Sequence, residues 1–138
     1  ERGVVRAYKL NNGLSFDKPI IIDTREGNIT GDPEGLAILK INKKDGYLIA
    51  SSQGSSTFNI YQRHAPYNFI NKFSVTSNKI IDGVSDTDGI DILNTYLNKD
   101  FPNGIIVVQD GENTGEQYIS KENFKYLSLR DLIIKLDL

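Results

Sequence analysis

Apolar and polar residues alternate at short period along most of the chain, the signature of half-buried β-strands. The first such segment is residues 4–10 (VVRAYKL), and Asn11-Asn12-Gly13 interrupts it with a turn. Further strand-like segments lie at 20–23, 36–41, 47–52, 57–63 and 68–75, each followed by Gly, Asn, Asp or Ser punctuation. Lys43-Lys44-Asp45-Gly46 predicts a tight hairpin turn, with Asp-Gly supplying the positive-φ positions. A second series follows at 90–93, 105–109 and 124–127. Only residues 128–136 change period. There Leu129, Leu132, Ile133 and Leu136 share a helical face, with Ser128 as the predicted N-cap and Asp131 three residues on. The pattern predicts an all-β chain closed by one short helix.

The two series read as one unit written twice. Glu34-Gly35-Leu36-Ala37-Ile38-Leu39 answers to Asp88-Gly89-Ile90-Asp91-Ile92-Leu93, and Gly46-Tyr47-Leu48-Ile49-Ala50 to Gly104-Ile105-Ile106-Val107-Val108. Gln53-Gly54 then pairs with Asp110-Gly111. A repeat of roughly fifty to sixty residues built only of strands is the period of propeller blades. Two such units cannot close a ring and would leave sheet edges bare, so further blades are expected outside this sequence. Glu1-Arg2-Gly3-Val4-Val5 likewise reads like the middle of a folded protein, so an upstream segment is expected.

Composition narrows the options. At 138 residues, with 38% hydrophobic residues, 25% charged and a net charge of −2, the chain has the balance of one folded domain or part of one. No apolar run approaches ~18 residues, so no membrane span is expected. Nor is there a basic excess for nucleic-acid binding. The absence of Cys excludes disulfides and thiolate chemistry. With a single His, His64 in a turn between Arg63 and Pro66 and expected at the surface, and with no Cys, a zinc site is not expected either. The serines at 51–56 lack the spacing of a nucleophile elbow or a phosphate loop. Phe58, Tyr61, Phe69 and Phe73 occur at strand spacing and are expected to pack between strands.

One stretch carries candidate chemistry. Residues 82–91 (DGVSDTDGID) hold Asp82, Asp86, Asp88 and Asp91 with no Lys or Arg among them. As an EF-hand loop it fails: with Asp86 and Asp88 at ligand positions 3 and 5, Val84 falls at position 1, where an oxygen is required. A solvated turn remains open, since Asp, Ser, Thr and Gly are turn residues. The repeat adds a second possibility. Glu34 and Asp88 precede equivalent strands, and in a propeller equivalent strand starts converge on the axis. Two carboxylates brought together need a cation, and calcium, a hard ion taking about six to eight oxygens, suits them.

These segments resemble the beta-propeller phytases. The resemblance lies in Glu34-Gly35-Leu36, the run 46–54 (GYLIASSQG), Ile60-Tyr61-Gln62-Arg63, the run 82–91, and 107–113 (VVQDGEN), in that order. It extends from about Ala7 to Leu127 and implies that residues 1–138 form the C-terminal portion of a six-bladed β-propeller. About two four-stranded antiparallel blades and the short helix would then be present.

The resemblance further implies calcium-dependent hydrolysis of the phosphomonoesters of phytate (myo-inositol hexakisphosphate) by a metal-activated water. It places Glu34 and Asp88 at the reaction centre, with Gln53, as calcium ligands, and Asp32 and Gln53 on the substrate side. Asp82, Asp110, Glu112 and Asn113 would hold a stabilising calcium between two loops. The basic clamp for phosphate would come from the preceding blades. Location outside the cytoplasm (secreted, cell-surface or periplasmic) is expected on the same ground. The rival expectation is a non-catalytic, calcium-stabilised propeller-like binding protein that lacks the clamp.

Overall fold

The computed structural model describes residues 3–11, 15–16, 18–114 and 122–138. Among these the chain is built from antiparallel sheets and one helix. Strand β1 (Val4–Ala7) pairs with β4 (Ile20–Thr24), and β2 (Leu10–Asn11) with β3 (Ser15–Phe16). A four-stranded meander follows: β5 (Leu36–Lys40), β6 (Gly46–Ser52), β7 (Thr57–Gln62) and β8 (Phe69–Phe73). A second meander holds β9 (Ile90–Leu93), β10 (Ile105–Asp110) and β11 (Asn123–Ser128), and the chain then enters α1 (Leu129–Leu136).

The alternation in sequence becomes alternation in burial. On β5 Ala37 and Leu39 are buried while Leu36, Ile38 and Lys40 are exposed, and β10 buries Ile106, Val108 and Asp110 in step. The main core lies between the two meanders: Leu39, Ile49, Phe58 and Ile60 from one meet Ile90, Ile106 and Val108 from the other. Each fully buried aliphatic or aromatic side chain contributes about 1.5–3 kcal/mol. Strand β6 departs from simple alternation because residues 49–52 are all buried. Its other face packs Ala50, with Tyr61 from β7, against Val5 and Ile29. Strands β6 and β7 are thus covered on both sides, while Leu36 and Ile38 of β5 remain exposed.

The aromatics pack as expected, Phe58 stacked on Phe73 with centroids 5.1 Å apart and Tyr61 edge-on to Phe69 at 5.8 Å. Ser128 caps α1 by accepting the Asp131 N–H at 3.3 Å. Leu129 is buried, and Leu132, Ile133 and Leu136 close over the core.

The expected all-β fold of antiparallel, blade-like sheets with one C-terminal helix is borne out, the second sheet having three strands among the described residues before Ser128 caps the helix straight out of β11. The 41–45 turn has another basis than Asp-Gly, since Asp45 does not adopt positive φ. Instead Asn42 Oδ1 accepts the Lys44 and Asp45 N–H groups at 2.8 and 2.9 Å. Gly46 is required there because a Cβ would stand 2.2 Å from the Leu39 carbonyl oxygen.

Candidate active site at the junction of two sheets

Strands β5 and β9 lie against each other where the sheets meet. Glu34 and Asp88 each stand two residues before the first residue of these strands, with a glycine between. The approach is close: a Cβ on Gly35 would sit 2.4 Å from the Asp88 carbonyl oxygen and 2.8 Å from the Ile90 nitrogen. Ser51 joins the two strand starts. Its Oγ, fully buried, accepts from the Glu34 and Gly35 N–H groups at 3.1 and 2.7 Å and donates to the Asp88 carbonyl at 3.0 Å. Both carboxylate-bearing residues are exposed above this buried joint.

Gln53 completes the group. Its backbone N–H donates to the Asp32 carbonyl at 3.1 Å, and its Nε2 donates to Asp88 Oδ1 at 2.7 Å. The Asp88 N–H in turn donates to Gln109 Oε1 at 2.9 Å. Asp32 is brought to the same rim, but its carboxylate is paired with Arg25, whose Nε also donates to the Gly31 carbonyl at 2.8 Å. Four residues expected from sequence, Asp32, Glu34, Gln53 and Asp88, therefore share one surface. Ser51, Gln109 and Arg25 were missed. Ser51 carries no motif of its own, but its place opposite Gln109 in the repeat was a readable signal.

The ladders fix that repeat more closely than the sequence does. Leu36 opposes Ala50, and Ile90 opposes Val108. Ser51 N–H reaches the Gly35 carbonyl and Gln109 N–H the Gly89 carbonyl, both at 2.9 Å. Likewise Gly54 N–H reaches the Thr30 carbonyl at 3.0 Å, and Gly111 N–H the Ser85 carbonyl at 2.8 Å. Asp110 is therefore the counterpart of Ser52, not of Gln53 as the sequence pairing has it. Gln53 occupies an additional position, in the 3₁₀ turn Gln53–Ser55. From there its side chain crosses to the neighbouring unit.

The loop set expected to hold calcium is arranged differently. Asp82 and Asp110 do converge, but on Lys125, a buried residue of β11. Lys125 Nζ donates to Asp82 Oδ1 at 2.5 Å, to Asp110 Oδ2 at 2.6 Å and to the Gly83 carbonyl. The other Asp110 oxygen accepts from Ser85 N–H at 2.9 Å, and the other Asp82 oxygen from Thr114 N–H at 2.6 Å. The Lys125 hydrogen bond, followed by that of the Thr114 N–H, holds the Asp82 carboxyl at a pKa of about 2 against the opposing effect of desolvation. Glu112 is exposed and gives its N–H to Ser85 Oγ at 3.1 Å. Asn113 is half-buried beside it. Among the described residues, no three His, Cys, Asp or Glu side chains gather as a metal site.

A second buried carboxylate, Asp23, ties β4 to the four-stranded sheet. Burial would raise the pKa of Asp23, but hydrogen bonds from Asn28 N–H, Tyr61 O–H, the Asn28 amide and Thr24 N–H outweigh it and hold the pKa below the ordinary value. The Tyr61 contact is 2.7 Å and ties β7 to β4. Burial first, and then this bond, push the Tyr61 phenol above its ordinary pKa. His64 is exposed in a turn whose Tyr67 N–H returns to its carbonyl at 2.8 Å.

The chain that carries this rim matches a known family over nearly its whole length. Residues 4–137 match the family model described as Phytase, and the chain belongs to the phytase family. It is 41% identical over 109 residues to the 3-phytase of Bacillus subtilis (strain 168), an overlap covering 78% of this chain. The same overlap covers 28% of that protein, so the chain spans under a third of the relative it matches.

Proposed function

We propose that this chain supplies one wall of the active site of a calcium-dependent phytase, a hydrolase of the phosphomonoesters of phytate. The carrying observation is the joint at Ser51, which seats Glu34, Gln53 and Asp88 on one exposed rim. Family membership and the 3-phytase relative support the reaction class.

Physical reasoning links an acidic rim to a polyanionic substrate. Carboxylates and phosphates repel each other, so neither can approach without a cation between them. Glu34, Asp88 and the Gln53 amide are hard oxygen donors and fit calcium in kind, though not in number, since calcium takes about six to eight oxygens. Phosphate oxygens, water and the rest of the protein would supply the remainder. Calcium held there would draw in phosphate oxygens and make a bound water more acidic.

The chain's own residues set the stage for that chemistry. Ser51 fixes the separation of the two strand starts, and Gln53 and Gln109 orient Asp88. Arg25 keeps Asp32 turned to the rim. The remaining propeller blades, expected upstream, would bring the basic phosphate clamp and cover the apolar face of β5, where Leu36 is 55% and Ile38 47% exposed. A secreted or cell-surface location fits an extracellular calcium supply.

The test uses the full-length protein and inorganic phosphate release from phytate. Wild type should lose activity in chelator and regain it with calcium. Asp88→Asn and Glu34→Gln should each lower kcat at least about 100-fold, the scale of a lost charge-stabilising group, while His64→Ala leaves it unchanged. Full activity of Asp88→Asn in calcium would refute the assignment. Phytate binding without any phosphate release would favour the non-catalytic binder.

A further inference from the structure

Lys125 occupies the place where the loop calcium was expected, and the repeat shows that this place is a built one. The registers set Asn59 opposite Ala50 and Lys125 opposite Val108, so the two residues are counterparts in successive sheets. Both are polar, and both are buried, at 0% and 6% exposure. Both make the same tie. Asn59 Nδ2 donates to the Asn28 carbonyl at 2.8 Å, and Lys125 Nζ donates to the Gly83 carbonyl, each immediately before the buried apolar residue Ile29 or Val84. In each unit, then, the third strand latches the loop that leads to the rim.

The second latch differs in carrying a charge and in bonding two carboxylates besides the carbonyl. Asp82 and Asp110 stand at the 82–88 loop, and Asp110 is fully buried. Buried carboxylates need a counter-charge, and all four of their oxygens already accept from groups of this chain: Lys125 Nζ twice, Ser85 N–H, and Thr114 N–H with Oγ1. The donor set of Asp82, Asp110, Glu112 and Asn113 therefore does not fit a calcium ion at this point.

We infer that Lys125 is the resident cation of the 82–88 loop, its one positive charge shared between Asp82 and Asp110, and that it latches the loop that carries Asp88 to the rim, in the place where a divalent ion was expected. The inference stands on this geometry whether or not the phytate reading holds.

The test is thermal unfolding of the full-length protein in calcium and in chelator, with calcium stoichiometry from isothermal titration. Asp82→Asn should lower Tm equally in both conditions and bind as many calcium ions as wild type. A larger loss in calcium than in chelator, or one ion fewer bound, would overturn the inference. Lys125→Met strands two carboxylates, so its Tm in chelator should fall by about 10 °C. Calcium should then recover part of that loss, the ion replacing the ammonium. A Tm for Lys125→Met within about 2 °C of wild type in chelator would show that the ammonium holds nothing. If Lys125→Met does not fold, the Asp82→Asn arm decides alone.

Discussion

Removing one oxygen atom at Ser51 should loosen the site more than any change on its rim. Ser51→Ala deletes a fully buried hydroxyl that makes three bonds, two accepted from Glu34 and Gly35 and one donated to Asp88. Those partners are peptide groups at the junction of the sheets. A typical bond is worth about 1 kcal/mol net, and an orphaned buried group costs about 1–3 kcal/mol. Partial access of water to the exposed rim keeps the sum toward the lower end, so about 2–4 kcal/mol is expected. Urea denaturation in chelator measures this without any contribution from metal. Ser77→Ala, at an exposed position, is the control and should stay within about 0.5 kcal/mol. A loss under about 1 kcal/mol for Ser51→Ala would mean that the two strand starts are held by packing, and the joint would be discarded.

The paired glycines give a sharper contrast. Gly35→Ala drives a Cβ into the Asp88 backbone at 2.4 Å and should cost more than about 2 kcal/mol, whereas at its counterpart Gly89 the nearest atom is Gln109 Cβ at 3.7 Å and alanine should be tolerated. Equal losses in denaturation midpoints would contradict the close approach of β5 and β9. Asp23 sets an acid limit. Its pKa is lowered in the folded state, so its stabilisation is complete above the ordinary value near about 4 and disappears as pH falls through the lowered one. Asp23→Asn should flatten the fall of Tm between pH 5 and 2, roughly. Tyr61 has the opposite sign: its raised pKa means stability is intact below about pH 10 and lost above it, a loss that Tyr61→Phe should abolish.

Much of the fold was legible because binary pattern and burial agree. Every main strand of both meanders falls where the alternation puts it, and the Ser128 cap starts the helix. Strands β2 and β3, two residues each, were missed, since no periodicity can register over so short a span. Glu34 and Asp88 were legible as repeated acid-Gly pairs, whereas Asp32 and Gln53 came only from the family resemblance. Lys125 was not, because in sequence a lysine in NFKYLS reads as the solvent side of a strand. Its burial follows only once the 82–88 loop folds over β11 and offers it two carboxylates.

The places where the repeat fails are the informative ones. Two units built on one plan share their ladder bonds and their loop latch, and these features belong to the scaffold. Gln53 has no counterpart: the additional position it fills lets one unit reach across 2.7 Å to the carboxylate of the next. A perfectly repeated loop would have kept each strand start to itself, with Glu34 and Asp88 as isolated surface acids. The inserted residue, together with a hydroxyl at 51 short enough to sit under both peptides, converts a structural seam into a shared rim. Asymmetry between otherwise equivalent units therefore marks the site better than the density of carboxylates does. Asp91, a carboxylate like Asp88 and three residues along, accepts only from the Ile92 N–H, at 2.8 Å, among the described residues.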